Sequence, residues 1–466
     1  MTERNEEPGL SAGVRTVGGI TVVDPSLVRR AVAAAAVGNV TEWFDFGVFA
    51  YMATTIGKVF YPQSSPTAQL LATFGTFAAA FLVRPLGGLF FGPLGDRIGR
   101  TKVLATTMIM MAAGTFCIGL IPSHDTIGLA APALLLLARF VQGFSTGGEY
   151  GGAMTFIAEY APDRKRGFLG SWLEFGTLTG YIFGAVIVAV LTAAMPEQEL
   201  LSWGWRIPFL IAGPLGIVGM YLRLKLEETP AFAKLVETHE AREAESATTK
   251  LRDIFVQHWP AMLICGALVL VFNVTNYMLT AYMPTYLSDE LPPGISSTES
   301  SVLQIVVMAL MLVVITFIGR ASDRFGRKPV IMTGCLALVV LSVPSVLLIQ
   351  QNTLPTVFSG LLIMGLMLVI FSATMPSTLP ALFPTNIRQG GLSISFNISV
   401  SLFGGTVATV MTALIAATGD LMWPGYYLIG AGVLGAIGIW FTEESAGRPL
   451  PGSPASAAPE EASTAG

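Results

Sequence analysis

The sequence predicts an all-α membrane protein with twelve transmembrane helices in two pseudo-symmetric six-helix bundles. Three observations carry this. First, 53% of the 466 residues are hydrophobic and only 12% are charged, roughly half the charged share of a soluble protein, and the mean hydropathy is +0.66. Second, about twelve apolar stretches each approach the ~20 residues that a bilayer requires. Third, the chain repeats itself. Residues 92–102 read GPLGDRIGRTK and residues 319–329 read GRASDRFGRKP. Both carry Asp-Arg-x-Gly-Arg, as Asp96, Arg97, Gly99 and Arg100 and again as Asp323, Arg324, Gly326 and Arg327. The two copies lie about half a chain apart. A second pair, Pro162…Arg166 and Pro384…Arg388, fits Pro-x-x-x-Arg at a similar offset. Related halves in a membrane chain point to a transporter.

The elements follow in order. Residues 1–28 are polar and lack an apolar core, so a cytosolic tail is expected and not a signal peptide. Six spans at 31–56, 68–94, 103–121, 129–153, 168–193 and 206–225 make an N-terminal bundle over 29–225. Residues 226–257 form the longest polar segment inside the chain and read as a central cytoplasmic linker. Six more spans at 258–287, 301–321, 329–349, 355–380, 392–416 and 423–442 make a C-terminal bundle over 258–442. Residues 443–466 are rich in Pro, Ala, Ser and Glu without an apolar heptad, so a disordered cytoplasmic tail is expected.

Lys and Arg set the orientation. With the N-terminus inside, the inner loops receive Arg29, Arg30, Arg97, Arg100, Lys102, Arg164, Lys165, Arg166, Arg324, Arg327, Lys328 and Arg388. The outer loops receive essentially Lys58 and Arg206. An even number of spans then puts both termini in the cytoplasm of a protein of the cell (inner) membrane. Trp203, Trp205 and Tyr61 fall at outer span ends and read as interface anchors.

The two Asp-Arg-x-Gly-Arg loops sit at the inner ends of the second and eighth spans. A carboxylate and guanidiniums there suit charge-assisted bridges between helix ends. Such bridges hold the inner face shut and release when the halves rock. Asp96, Arg97, Gly99, Arg100, Asp323, Arg324, Gly326 and Arg327, with Arg84, Arg166 and Arg388, are the gating candidates. The plain alternative is that these residues are positive-inside anchors.

Charges within the spans carry a cost of at least a few kcal/mol each in lipid. Glu42 and Asp45 lie three residues apart near the middle of the first span and share a helix face. Arg139 lies mid-way along the fourth span, with Gln142 and Gly143 one turn later. Glu149, Glu174 and Arg84 are the other buried charges expected in the first half. The second half offers neutral groups instead: Asn273, Asn276, Tyr277 and Tyr282 in the seventh span, and Asn397 in the eleventh. Proton handling is therefore expected of Glu42 and Asp45, with Arg139 as fixed counter-charge. A lone membrane Asn also serves as helix–helix glue, and structural ion pairs remain the alternative for the charges.

Cys117, Cys265 and Cys335 lie far apart within apolar stretches and read as packing residues. His124, His239 and His258 are scattered. No metal site or cofactor is expected. The net charge of −4 is mild, and no basic tract suggests nucleic acid. No nucleophile motif suggests a membrane enzyme. A sensor without transport need not bear the insertion cost of the mid-membrane acids.

The chain resembles the major facilitator superfamily through its two Asp-Arg-x-Gly-Arg loops and Arg139-x-x-x-Gly143. Within it, the chain resembles the metabolite:proton symporter family. The segments are GNVTEWFDFG (38–47), RPLGGLFFGPLGDRIGR (84–100), QGFSTGGEYGGA (142–153), PDRKRGFLGSW (162–172), WGWRIPF (203–209) and EETPAF (227–232). GSWLEFGTLTG (170–180), NVTNYMLTAYMPTYLS (273–288), STLPALFPTNIR (377–388) and FNIS (396–399) are similar to the proline/glycine betaine:proton symporters of that family. The resemblance implies uptake of compatible solutes such as proline, glycine betaine and ectoine, driven by protons and activated by osmotic stress. Some such symporters end in a coiled coil, which the Pro/Ala-rich tail here does not form.

A zwitterion with a quaternary amine wants acids or aromatic faces at one end and donors at the other. Trp43, Phe44, Trp172 and Tyr277, with Glu42, Asp45 and Glu174, suit the cation, and Arg139 suits the carboxylate. Gln142, Glu149, Asn273, Asn276 and Asn397 complete the expected substrate site. The expected partners are a small zwitterionic solute, protons and the lipid bilayer, with the chain working as a monomer. Symport of 2-oxoglutarate, citrate or shikimate is the alternative. It fits less well, because the buried acids Glu42, Asp45, Glu149 and Glu174 outnumber Arg84 and Arg139.

Overall fold

A bilayer offers no partner for backbone N–H and C=O groups, so apolar stretches of this length must fold as helices. The computed structural model describes residues 14–17, 20–98, 100–224, 255–291, 295–385 and 387–459. The N half contains α1 (Pro25–Tyr51, continued by Ala53–Phe60), α2 (Pro66–Ile98) and α3 (Arg100–Leu120). It continues with α4 (Ala130–Thr146 and Glu149–Tyr160), α5 (Arg166–Ala194) and α6 (Arg206–Leu224). The C half contains α7 (Trp259–Glu290), α8 (Ser297–Phe325), α9 (Arg327–Gln350), α10 (Leu354–Thr378), α11 (Arg388–Thr418) and α12 (Trp423–Trp440).

Among the described residues, eight helices are long and apolar enough to cross a membrane alone. The pair Glu197–Gly204 and Arg206–Tyr221, bent by 41°, makes a ninth. The charged α1, the interrupted α4 and α12 complete the twelve. Large apolar side chains such as Leu82, Leu86 and Phe90 on α2, and Val313 and Phe317 on α8, face outward, as lipid-facing surfaces do.

Glycines set the helix spacing in the N half. An added Cβ at Gly143 would lie 1.8 Å from the Ala80 carbonyl oxygen, and one at Gly87 would lie 1.8 Å from that of Phe144. These positions bring the α2 and α4 backbones into contact. Gly176, Gly180 and Gly184 form a small-residue stripe at every fourth position of α5, where an added Cβ would meet Ala36, Val40 and Val48 of α1 at 2.3, 2.4 and 3.3 Å. The glycine of Arg139-x-x-x-Gly143 therefore belongs to the crossing that draws Arg139 into the core.

The halves meet along two seams. α5 packs against α8 and α10, and α2 packs against α11. Stepping six helices along the chain turns α2/α11 into α8/α5, so the seams are related by the internal repeat. Two π-helical stretches in α7 (Met278–Tyr282 and Tyr286–Glu290) and one in α11 (Val400–Gly404) interrupt the C-half helices that line this junction. Such bulges free backbone groups and re-aim side chains.

Two expectations need correction or qualification. Residues 443–459 are not a disordered tail: they lie against the loop ends of the helices, and Ser456–Ala457 forms a parallel β pair with Ile20–Val23. Ile20–Val23 also pairs antiparallel with Val14–Val17, so both tails share one face. The expected linker at 226–257 lies outside the described residues except for 255–257.

Gly143→Ala should lower stability by about 1–3 kcal/mol through overpacking, read as a lower melting temperature in detergent. Gly75→Ala, where nothing lies within 4 Å of an added Cβ, should leave it unchanged.

Candidate functional site

Glu42 and Arg84 form a buried ion pair, with Arg84 Nη2 3.0 Å from Glu42 Oε1. Asp45, one turn further along α1, accepts a hydrogen bond from Thr115 Oγ1 of α3 at 2.6 Å. Thr115 Oγ1 in turn accepts from Gln142 Nε2, and Gln142 Oε1 accepts from Arg139 Nη1 at 2.9 Å. Every donor in this chain points toward the Asp45 carboxylate. The Thr115 hydroxyl has a second acceptor in the Met111 carbonyl at 3.1 Å.

The expected triad of Glu42, Asp45 and Arg139 is therefore split. Glu42 has its own arginine on α2, while Arg139 reaches Asp45 through two side chains and remains its charged neighbour together with Glu149. Phenylalanine faces shield both guanidiniums. Arg139 Cζ lies 3.8 Å from the Phe49 ring centroid and 5.1 Å from that of Phe77. Arg84 Cζ lies 4.8 Å from Phe81 and 5.1 Å from Phe46. Cation–π attraction offsets part of the lost hydration.

Trp43 centres an aromatic cluster at the junction of the halves. Its ring lies 5.5 Å from Tyr181, 5.9 Å from Tyr150 and 6.1 Å from Tyr277. Its Nε1 donates to Asn39 Oδ1 at 3.1 Å, and Asn39 Nδ2 donates to the Leu173 carbonyl at 2.9 Å. These bonds fix the indole against α5. Tyr150 donates to Glu174 Oε1 and stacks on Phe396 of α11 at 4.7 Å. Glu42 is a charged neighbour of both Tyr150 and Tyr277. Aromatic faces from both halves thus converge beside two carboxylates of the N half.

Other expected site residues lie elsewhere or are already engaged. Phe44 packs on Phe183 at 5.3 Å, on the outer side of α5. Trp172 is half-buried against Phe168 and Phe175. Neither joins the cluster. Asn397 Nδ2 donates to the carbonyls of Gly147 at 2.6 Å and Ser393 at 2.7 Å. It is helix glue, satisfying the carbonyl at the interruption of α4. Asn273 Nδ2 bonds its own helix at Val269. Asn276 lies beside Tyr181. Glu149 is buried in the first turn of the second α4 segment, where a helix N-terminus favours negative charge.

On the loop face the halves are bonded to each other at two places. Asp323 accepts from the backbone N–H groups of Gly167 at 2.7 Å and Phe168 at 2.8 Å, at the start of α5, and from Arg327 Nη2 at 3.1 Å. Gly326, between them, has a φ of 99°, a conformation that favours glycine. Arg388 Nη1 donates to Glu159 Oε1 of α4 at 3.1 Å. Arg166 pairs with Asp163 within its own half. Arg324 is exposed, with its guanidinium 5.4 Å from the Phe325 ring centroid. Only the backbone of Asp96, Arg97 and Arg100 is described, and Gly99 lies outside the described residues.

Sequence reasoning missed Thr115, Tyr150, Tyr181 and Glu159. Thr115 is a polar residue in the middle of the third span, but threonine bonds readily to its own helix, so its type gave no signal. Tyr150 stood beside the noted Glu149 on the neighbouring face.

Residues 31–454 match the family described as sugar (and other) transporter. The proline/betaine transporter of Salmonella typhimurium is 48% identical over 442 residues, covering 94% of this chain and 88% of that protein. The glycine betaine/proline/ectoine/pipecolic acid transporter OusA of Dickeya dadantii is 48% identical over 438 residues, covering 93% and 87%. The solved structure of the proton:xylose symporter XylE, a major facilitator superfamily protein, aligns with a TM-score of 0.74 at 19% identity. It covers 91% of this chain and 98% of that one, which is a likeness of fold. These matches bear names of transporters and none of an enzyme, and the chain belongs to the sugar (and other) transporter family, with the twelve-helix fold of the major facilitator superfamily.

Proposed function

We propose that the chain is a secondary transporter that imports compatible solutes, namely proline, glycine betaine and ectoine, by proton symport and alternating access. The names of the 48%-identical relatives support the solute class. The observation that carries the reading is the Trp43 cluster, with Tyr150, Tyr181 and Tyr277 around it and Glu174 and Glu42 beside it. Aromatic faces with nearby carboxylates suit a quaternary or secondary ammonium. Arg84, next to Tyr277, suits the solute carboxylate. The Asp45–Thr115–Gln142–Arg139 chain is the proton-linked element, one helix turn away. Osmotic activation belongs to this reading, as do placement in the inner membrane, both tails in the cytoplasm and action as a monomer.

Competition in proteoliposomes with labelled proline tests the solute class. Unlabelled glycine betaine and ectoine should compete, and 2-oxoglutarate and citrate should not. Competition by the dicarboxylate and tricarboxylate alone would overturn the reading.

A second measurement addresses coupling. Asp45→Asn should abolish proton-driven accumulation while leaving solute exchange between the two sides of the membrane. Thr115→Val removes a hydrogen bond to a charged group, worth about 1.5–3 kcal/mol. It should lower accumulation by about tenfold or more, with exchange changed by less than about threefold. Accumulation that survives Asp45→Asn with unchanged pH dependence would place coupling elsewhere, with Glu174 and Glu149 next in line.

A further inference from the structure

The C-terminal tail of this chain is bonded to both halves at once. It begins at Glu444, whose carboxylate accepts from the backbone N–H groups of Arg327 and Lys328 at 3.0 Å each and of Ala446 at 2.8 Å. Burial alone would raise this carboxyl, but these N–H groups and the Arg327 guanidinium hold it below the usual range. Glu444 therefore anchors the tail at neutral pH, and the anchor weakens only as pH falls through that depressed value.

Beyond the anchor, the Arg448 carbonyl accepts from Arg166 Nη1 at 3.0 Å, at the start of α5. The Pro451 carbonyl accepts from Arg388 Nη2 at 2.7 Å, at the start of α11. Arg166 and Arg388 are the two repeat-related arginines of Pro-x-x-x-Arg, one in each half. The Ser456 N–H then returns to the N half, donating to Asp163 Oδ2 at 3.0 Å. The Ala455 carbonyl accepts from the Thr21 N–H at 2.8 Å, joining the strand that leads into α1. Leu450 is buried beneath the segment.

We propose that residues 444–457 are an autoinhibitory strap which, with the N-terminal hairpin, holds the loop face shut and biases the transporter toward the state open on the opposite side. Geometry makes the strap restrictive. Only three residue steps separate Arg448 from Pro451, so the chain between the two carbonyls spans about 10 Å at most. The starts of α5 and α11 cannot move well apart while both arginines hold it. Opening the loop face must first release the strap from one half. This inference is independent of which solute is carried.

Pulsed electron spin resonance in nanodiscs tests it on the full chain. Labels go on Arg164→Cys and Phe325→Cys, exposed positions on either side of the α5/α8 seam, with Cys117→Ser. The unaltered tail should give mainly the short distance. Removing residues 448–466 should raise the long-distance population about tenfold, as expected for losing several hydrogen bonds. Ser456→Pro, which deletes the tail N–H bonded to Asp163, should raise it about threefold. An unchanged distribution in the truncated chain overturns the proposal. If the truncated chain fails to fold, an unchanged distribution in Ser456→Pro does so instead.

Discussion

Among the described residues, six charged side chains within the spans of the first half must exist without water. Glu42, Asp45, Arg84, Arg139, Glu149 and Glu174 are all buried. Breaking a buried pair by removing one partner costs about 3–5 kcal/mol, so their arrangement constrains everything around them. Close α2–α4 and α1–α5 crossings exist only because glycines let the backbones touch. Within that frame Arg84 of α2 meets Glu42 of α1, and Arg139 of α4 lies one side chain from Thr115 of α3. Phe46, Phe49, Phe77 and Phe81 then cover the guanidiniums on the sides that lack carboxylates.

The two halves share a fold but divide the chemistry. Nothing comparable to the buried charges occurs mid-span in α7 to α12, where Asn273, Asn276 and Tyr277 supply neutral polarity. The C half instead contributes surfaces that close on the charged half. Tyr277 and Phe396 complete the aromatic cluster, and Asp323 seats on the exposed N–H groups at the start of α5. A carboxylate on a helix N-terminus gains from both hydrogen bonding and the helix dipole, yet it is held by few atoms and is easily released. Between the halves lie this seat and the buried Arg388–Glu159 pair, while the remaining intramembrane charges are held inside the N half.

Much of this was legible in the sequence. Span lengths, the paired loops and the rarity of charge fixed the twelve-helix arrangement, and the intramembrane acids and bases marked the chemical half without any geometry. Partner choice was not legible. Glu42 pairs with Arg84 of α2 while Arg139 bonds Gln142, an outcome of helix packing that periodicity does not encode. Phe44 and Trp172 were misplaced for the same reason: adjacency to Trp43 or Glu174 says little about which side of a helix a ring occupies. Thr115 and Tyr150 carried no compositional signal. The tail from 443 lacks an apolar face, so its pattern predicts disorder, but backbone carbonyls given to Arg166 and Arg388 hold the described part, 443–459, without any side-chain code.

The central claim is that Asp45, held by Thr115 and faced by Arg139, is the carboxylate whose protonation changes with solute. Infrared difference spectroscopy on the reconstituted protein reads this directly, because a protonated carboxyl absorbs apart from a carboxylate. Addition of glycine betaine should produce a carboxyl band that shifts in deuterium oxide, persists in Glu174→Gln and disappears in Asp45→Asn. A band that survives Asp45→Asn and is lost in Glu174→Gln would contradict the account.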